Sequence, residues 1–444
     1  MAIVPGAMLK PRNRELLALT PSALLVTGGF AAIFIQAQNR LSNVSLTYGA
    51  VFLGLCLGAH LVIRFALPDA DPYLFPLAAV LASLGLVMVY RIDTTLARQQ
   101  AQWFVVGLGV FALTIVVLRR NLHVLERYRY TIALVGIAML LVPRLPGIGQ
   151  NVNGIYLNIK LGPIKFQPSE LAKIAIVIFL ASYLRDTRQV LVTAGRRILG
   201  VTLPPMKQFG PLLVVWGSAM VVLLVTRALG TSLMFFGAFL ALLYVATGRL
   251  SFAVVGLALF LVGAWFISNH VPHVHDRILA WEHPFDPALY NRPGGSYQVA
   301  QSLFAQADGG LLGTGFDQSL LKQPNGHSIL PVPESDLIYS VITNELGLLG
   351  ACGLLVTYLL FVARGLKIAT LAGDSFSKLL ATGLSFIVAL QVFVIVGGVT
   401  RVIPLTGVTL PFVAYGGSSV VMNFALLGLL LVVSDRARRT ARSG

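Results

Sequence analysis

Long apolar runs are the feature that most constrains this 444-residue chain. Hydrophobic residues make up 56% of it and charged residues only 11%, and the apolar residues occur in runs long enough to cross a bilayer. The chain is therefore predicted to be an all-α polytopic integral membrane protein, since it is too apolar for several soluble domains. About twelve transmembrane helices are expected, at residues 16–37, 47–67, 73–90, 102–118, 130–146, 168–184, 210–226, 229–247, 251–268, 337–363, 377–398 and 406–434.

The distribution of basic residues predicts the orientation of these helices. With the N-terminus placed inside, 21 Lys and Arg fall in inside loops and helix ends and 11 in outside ones. Both termini are therefore expected to be cytoplasmic. The net charge of +16 does not indicate a nucleic-acid partner, because the sequence has no basic stripe with interleaved aromatic residues.

The cysteines and the N-terminal residues indicate neither a disulfide framework nor a cleaved leader. Cys56 and Cys352 both lie inside apolar runs, which is typical of core packing. The basic N-terminus leads into a full-length span without a small-residue cleavage site, so no cleavable signal peptide is expected.

Helix parity places the most polar loops on one face. The loop after the fifth helix, the long loop at 269–336 and the short loop at 399–405 each follow an odd number of helices, so all three should lie outside. The least helix-like sequence of the chain lies in these loops or in the helix ends beside them. We therefore expect a site that faces the extracytoplasmic side.

The first polar cluster is "FQPSELAK", which opens the sixth predicted helix. Pro168 suits a first helical turn. Glu170 and Lys173 are three residues apart and so share a helix face. Charges inside a membrane are costly, and such a pair is either a mutually neutralising structural pair or part of a polar cavity. The residues alone favour neither alternative.

The second cluster is "PVPESDLIYSVITNELGLLG", residues 331–350. Ser335 or Asp336 is expected to cap the helix that follows, because both residue types accept hydrogen bonds from a helix N-terminus. Asn344 and Glu345 come too late to act as caps. They are expected to face protein or water.

The third cluster, "GGVTRVIPLTGVTLPFVAYGGSSVVMNFALLGLLL" at 397–431, places small and polar residues within an apolar run. Small residues in membrane helices usually allow close packing, and this is the role expected for Gly416 and Gly417. A mixed packing and functional role is expected for Tyr415 and Ser418.

The long outer loop contains the stretch "WEHPFDPALYNRPGGSY", residues 281–297. Upstream of it, "HVPHVH" has the residue type but not the spacing of a structural zinc site. Asp276, Glu282 and Asp286 are equal candidates by composition. An acid before proline is often only a turn former.

These motifs resemble those of the SEDS family (shape, elongation, division and sporulation). "FQPSELAK", the helix start ending in "NELGLLG", and "GGVTRVIPLTGVTLPFVAYGGSS" carry the resemblance, which runs in order from about residue 150 to 435. RodA-type members are the most similar. The resemblance implies the SEDS fold, with two helices beyond the usual ten. It divides the chain into N-terminal helices at 1–146 and a family core at 147–444.

The resemblance also implies an activity. SEDS members are peptidoglycan glycosyltransferases that polymerise lipid II into glycan strands on the outer face of the cytoplasmic membrane, in this case during cell elongation. The expected partners are lipid II, the growing glycan strand and a class B penicillin-binding protein that acts as the transpeptidase. A lipid II flippase and a non-catalytic scaffold of the cell-wall synthesis complex are the alternatives.

Site residues follow from the matched motifs. "HPFDP" matches the segment that carries the family's essential aspartate, which makes Asp286 the expected general base. A divalent cation, Mg²⁺ or Mn²⁺, is left open, and its ligands are unknown. The departing diphosphate could instead be met by Lys173 or by Arg277, Arg292 or Arg401. The expected substrate-binding residues are Glu170, Lys173, Asp336, Arg401, Tyr415 and Ser418.

Three departures from the family pattern concern the site. Extra residues, "PALYNRPGGS" at 287–296, lie between Asp286 and Tyr297, and "NGIYLNI" stands where an Arg-Trp pair is usual. "TRALGTSL" has Ala228 where the family has an aspartate. Another residue of this chain would therefore have to perform any role of that aspartate.

Overall fold

The computed structural model describes residues 10–38, 43–152, 155–161, 164–193, 196–198, 201–203, 206–225, 229–292, 295–316, 318 and 329–443. Helices dominate these ranges. They are α1 (Pro11–Ala18), α2 (Thr20–Gln38), α3 (Asn43–Ala66), α4 (Leu74–Ile92), α5 (Thr94–Leu118), α6 (Val124–Arg127), α7 (Arg129–Leu141), α8 (Pro168–Thr193), α9 (Met206–Val225), α10 (Leu229–Thr247), α11 (Leu250–His270), α12 (Pro272–Glu282), α13 (Pro287–Tyr290), α14 (Tyr297–Gly309), α15 (Ile338–Leu371), α16 (Ser375–Val399) and α17 (Gly417–Ser443).

The helices confirm a polytopic membrane fold. Every one of the twelve predicted spans contains a helix. Within the described residues, nine helical segments are long and apolar enough to cross a membrane, the first of them formed by α1 and α2 together. The other three predicted spans correspond to α7, α8 and α9. Of these, α7 has only 13 residues, and α8 carries five charged side chains.

Two small antiparallel sheets interrupt the helical pattern. Strands β1 (Gly149–Val152), β2 (Ile155–Leu161) and β3 (Ile164–Phe166) form one sheet, in that order, and β4 (Arg196–Ile198) pairs with β5 (Val201–Leu203). The first sheet follows the alternation of polar and apolar residues after α7, a spacing that suits strands. Both sheets lie in segments that connect helices, so the membrane-spanning part remains all-α.

Helix α17 is one of the most buried helices. In α17, 89% of the apolar stretch is buried within the protein, against 6% in α11 at the periphery. Phe424 of α17 is enclosed by three rings, with centroids 5.3 Å away at Phe104, 6.4 Å at Phe111 and 5.4 Å at Phe412. Edge-to-face contacts of this kind stabilise a core beyond the area that they bury. The helix therefore joins α5 to the chain segment before it.

That segment, residues 401–416, is not helical, and the prediction of a helix from residue 406 is wrong over its first eleven residues. Pro404 and Pro411 cannot donate the hydrogen bonds that a helix interior needs. Gly407 and Phe412 also have positive φ angles, of 69° and 64°. The run is apolar enough for a span, but its backbone is set by proline and glycine. We refer to it below as the 401–416 segment.

Helix α15 is broken at Gly347, whose φ is 67° and ψ −172°. The stretch 310–315 fills the break. Leu348 N donates to Gly310 O at 2.9 Å, and Gly315 N donates to Glu345 O at 3.0 Å. A Cβ on Gly347 would lie 2.3 Å from Gly313 N. Backbone groups freed inside a membrane protein need such partners, so both glycine-rich stretches are required for this close approach.

The long loop predicted at 269–336 is partly helical. It contains α12, α13 and α14, and residues 283–286, 291–292 and 295–296 are not helical. A proline begins α12 and α13, as is common at a first helical turn. The described part of the loop is thus divided into short helices rather than formed by one continuous helix.

Candidate functional site

A buried network of polar side chains begins in the first turn of α8. Lys173 Nζ donates to Glu170 Oε2 at 2.8 Å and to Gln391 Oε1 at 2.9 Å. Gln391 Nε2 in turn donates to Thr409 O at 2.7 Å. Lys173 is 1% exposed and Glu170 2%. The predicted pair is therefore formed, and it ties α8 and α16 to the 401–416 segment.

Ser418 lies beside this network, at the start of α17. Its Oγ accepts a hydrogen bond from Gln167 N at 3.1 Å, just before α8 begins. Thr409 Oγ1 bonds Ser419 Oγ at 3.0 Å, and Asn423 Nδ2 donates to the same oxygen at 3.2 Å. The first turns of α8 and α17 are thus joined by hydroxyl groups.

Asp336 lies just before α15 and faces the 401–416 segment. The predicted capping role of Ser335 and Asp336 is wrong, because the helix begins later and its N-cap is Leu337, without a side-chain bond. Burial raises the pKa of Asp336 to about 6, although the charge of Arg277 opposes the shift. A Cβ on Gly407 would lie 3.5 Å from Asp336 Oδ2. A carboxyl group that titrates near neutral pH is therefore present at this segment.

Arg277 on α12 also contacts the 401–416 segment. Its Nη1 donates to Leu405 O at 3.2 Å. Burial lowers the pKa of Arg277, and the charge of Asp336 partly offsets this effect. Arg277 was one of three arginines expected to meet a departing anion. The structure brings it beside Asp336.

Arg401 clamps the long loop to the 401–416 segment. Its Nε donates to Trp281 O and its Nη2 to Glu282 O, both at 2.8 Å. Trp281 Nε1 donates back to Arg401 O at 3.0 Å. Arg401 itself has a φ of 62°. In this conformation two of its three guanidinium nitrogens are held by backbone carbonyls, so it fixes the start of the "WEHPFDP" stretch.

Asp286 follows this clamp by four residues. It is the N-cap of α13, and its Oδ1 accepts a hydrogen bond from Ala288 N at 2.8 Å. The side chain is half-buried. Within the described residues, no hydrogen bond or ion pair joins Asp286 to Lys173 or Asp336, and none uses its Oδ2. Asp286 therefore forms a turn, as an acid before proline often does, and its Oδ2 makes no hydrogen bond within the described residues.

Tyr415 closes the 401–416 segment against α5. Its Oη donates to Gln99 Oε1 at 2.5 Å, and its backbone N donates to Glu334 O at 2.8 Å. Gln100 Nε2 donates to Ala414 O at 3.2 Å. A Cβ on Gly417 would lie 2.1 Å from the Trp103 ring, which confirms the packing role expected there.

Sequence reasoning missed several partners in this region. Gln391, Gln99 and Gln100 are amides at the edge of or inside apolar runs, and that isolation is a signal which could have identified them. Asn344 and Glu345 are buried and face protein, as expected. The partner of Glu345 was not foreseen. It is Arg91 at the end of α4, with Nε 2.9 Å from Glu345 Oε1.

Two further expectations concern metals and the family's missing acid. Among the residues that the structure describes, no three His, Cys, Asp or Glu side chains gather as metal ligands. His270 stacks on Phe266 with ring centroids 4.1 Å apart, and its Nδ1 bonds Phe266 O at 2.8 Å. The His273 side chain and Ala228 lie outside the described part of the chain.

Parts of all the polar clusters predicted from the sequence therefore meet the 401–416 segment. Comparison with known proteins identifies the family of the chain. The model of a cell cycle protein family, FtsW/RodA/SpoVE, matches residues 72–439. The chain belongs to the FtsW/RodA/SpoVE family. This is the SEDS family of the resemblance, which is thereby confirmed.

Relatives and solved structures of the FtsW/RodA/SpoVE family extend the comparison. The chain is 40% identical over 450 residues to the peptidoglycan glycosyltransferase RodA of Mycobacterium tuberculosis, covering 97% of this chain and 92% of that one. It is 30% identical over 378 residues to the stage V sporulation protein E of Bacillus subtilis, with coverage of 83% and 98%.

Among solved structures, one chain is from a study of how a peptidoglycan synthase complex coordinates polymerization and crosslinking. Its TM-score is 0.66 at 27% identity, over 83% of this chain and 98% of that one. RodA of Thermus thermophilus has a TM-score of 0.56 at 25% identity, over 82% and 96%. The fold is thus shared with experimental structures of the family over most of the chain.

Proposed function

We propose that this protein is a peptidoglycan glycosyltransferase that polymerises lipid II into glycan strands. The observation that carries the proposal is the 40% identity to a RodA glycosyltransferase over 97% of the chain. The geometry supports it, because Lys173, Asp336 and Arg277 are linked to the 401–416 segment or lie against it. Arg401 of this segment holds the loop that carries Asp286. RodA relatives are more similar than the 30% identical sporulation protein, which favours a role in elongation over septation.

In the proposed reaction, the 4-hydroxyl of the acceptor sugar attacks the anomeric carbon of the donor. A new glycosidic C–O bond forms as the bond to the polyprenyl diphosphate breaks. Asp286 takes the proton from the hydroxyl as general base. Its bond from Ala288 N orients the carboxylate through Oδ1 and leaves Oδ2 to accept the proton.

The negative charge of the leaving diphosphate needs a positive partner. Lys173 is 1% exposed and already donates to Glu170 and Gln391, so it serves in the proposal to hold the site together. Arg277 is the better candidate, because its Nη1 bond to Leu405 O leaves further donors. A divalent cation could assist the leaving group, but no step depends on one.

The site faces the extracytoplasmic side in this proposal, and both termini are cytoplasmic. The excess of Lys and Arg in the inner loops supports this orientation. Lipid II would enter laterally from the outer leaflet, with its polyprenyl chain against apolar helix faces.

The proposed partner is a class B penicillin-binding protein, which would crosslink the strands that this protein polymerises. The support is the structural neighbour from a peptidoglycan synthase complex, in which polymerization and crosslinking are coordinated.

Purified protein, alone and with that partner, tests the proposal with labelled lipid II. Glycan polymer on a denaturing gel is the expected product. Lipid II translocation in sealed vesicles without polymer would favour the flippase. Neither polymer nor translocation, from the protein alone or with the partner, would indicate a scaffold.

A further inference from the structure

A cavity of about 190 Å³ lies between α2, α3, α4 and α5. Helices α2 and α3 precede residue 72, where the match to the family model begins. The walls are mostly apolar, and their aromatic side chains are Phe30, Tyr48, Phe52, Tyr90 and Phe104. A cavity of roughly 150 Å³ with apolar walls already holds a benzene ring, so this one has room for a segment of hydrocarbon chain.

The aromatic walls give the cavity a fixed shape. The rings of Phe30 and Tyr90 meet edge to face with centroids 5.0 Å apart, and Phe52 stacks on Phe104 at 5.0 Å. Phe30 is 1% exposed, whereas Val51 at the rim is 56% exposed. The cavity therefore opens sideways from the helix bundle, where hydrocarbon tails would surround a membrane protein.

Among the lining residues that the structure describes, Arg98 is the one cation. It lies in the second turn of α5 and is exposed, close enough to Tyr90 to act on its hydroxyl electrostatically. Over the described ranges, Arg98 has no ion pair or hydrogen bond from its side chain. Arg91 nearby is already paired with Glu345 at 2.9 Å. Within the described part of the chain, Arg98 is thus an uncommitted positive charge at the mouth of an apolar cavity.

We propose that this cavity binds one acyl chain of an anionic glycerophospholipid whose phosphate lies against Arg98. Basic side chains attract anionic lipids at the membrane surface, and each buried methylene adds affinity. The positive charge of Arg98 balances the one negative charge of a phosphodiester. A diphosphate carries more negative charge than Arg98 can balance. The site is independent of the proposed reaction. It lies on the helix whose Gln99 and Gln100 hold the 401–416 segment.

Native mass spectrometry of the full chain in detergent tests the site. The protein is titrated with phosphatidylglycerol, with phosphatidylcholine of the same acyl chains, and with undecaprenyl diphosphate. Phosphatidylglycerol should bind more tightly than phosphatidylcholine. Arg98→Gln should weaken it roughly fivefold, the value expected for one basic residue near a membrane surface. Arg120→Gln, an exposed arginine beyond the far end of α5, is the matched control and should bind as the wild type does.

A second variant tests whether the lipid binds inside the cavity. Ala101→Phe fills part of the space and should weaken phosphatidylglycerol binding while the charge of Arg98 remains. Thermal unfolding establishes that this variant is folded. Equal binding of the two phospholipids, unchanged binding in Arg98→Gln or in folded Ala101→Phe, or displacement of phosphatidylglycerol by equimolar undecaprenyl diphosphate would each overturn the proposal.

Discussion

The network around Lys173 and the loop around Asp286 are built in opposite ways. Lys173 and Glu170 are almost fully buried, and their hydrogen bonds extend through Gln391 to a third chain segment. The side chain of Asp286 is half-buried, and among the described residues it accepts one hydrogen bond, from Ala288 N in α13. A group that transfers a proton needs access to substrate, whereas a buried ion pair fixes the position of its surroundings. We therefore propose that the two regions divide the work, with the network around Lys173 holding the site and Asp286 reacting.

The largest effect is expected from separating the buried pair. Lys173→Met leaves Glu170 with an unpaired buried charge, which typically costs about 3–5 kcal/mol. Thermal unfolding in detergent should show a strongly destabilised protein. The double variant Glu170→Leu/Lys173→Met removes both charges and should recover most of the stability. If the double variant is as unstable as Lys173→Met, the unpaired charge of Glu170 is not the cause of the destabilisation.

Asp336 should make stability depend on pH. Its folded-state pKa of about 6 lies above the 3.8 of an ordinary aspartate, so the charged form is disfavoured in the fold. Its contribution to the free energy of unfolding is fully present below about pH 4 and is lost as the pH rises through 6. At about 1.4 kcal/mol per pKa unit, the cost at pH 8 is roughly 2–3 kcal/mol. Asp336→Asn should flatten this part of the stability profile between pH 4 and 8. An unchanged pH dependence of stability in Asp336→Asn would contradict the raised pKa of Asp336.

Removing the clamp should disturb the loop more than the fold. Arg401→Ala deletes two side-chain hydrogen bonds to the exposed loop, at a cost of about 1–2 kcal/mol. Polymerisation should fall about tenfold or more, because a small misplacement of a reacting group is costly. Arg401→Lys keeps the charge but cannot reach both carbonyls. Its polymerisation activity should therefore lie between those of the wild type and Arg401→Ala. Full activity in Arg401→Ala would show that the clamp does not position Asp286.

The smallest effect on stability is expected at Asp286. Asp286→Ala removes one N-cap bond from a four-residue helix, which should cost at most about 1 kcal/mol. Differential scanning fluorimetry measures this change beside Lys173→Met. A loss as large as that of Lys173→Met would mean that Asp286 is structural and would remove the contrast between the two regions.

Much of the architecture could be predicted because hydrophobic runs determine membrane helices. All twelve predicted spans contain a helix, and Glu170 and Lys173 form the pair that their spacing indicated. The 401–416 segment was predicted poorly, because hydropathy does not register the effect of Pro404, Pro411 and a left-handed glycine. The same limit applies to the cap of α15, where the helix begins after the polar residues that were expected to cap it.

The site was only partly accessible from the sequence. Local spacing identifies Glu170 with Lys173, but the partners of Lys173 and Glu345 lie 218 and 254 positions away, at Gln391 and Arg91. Such contacts follow from helix packing, for which one sequence carries no direct signal. Asp286 was selected by a family motif, since composition could not separate it from Asp276 or Glu282. Its role as general base and the roles of the other site residues stay predictions.

Polymerisation of labelled lipid II by Asp286→Asn, compared with Glu282→Gln, is the direct test of this division of work. Both variants neutralise an acid of the same loop, and Asn can still cap α13. Asp286→Asn should fold and unfold as the wild type does but lose polymer formation by at least about a hundredfold, the usual range for a general base. Glu282→Gln should keep most of its activity. Wild-type polymer from folded Asp286→Asn would contradict the assignment of the reacting carboxylate to this loop.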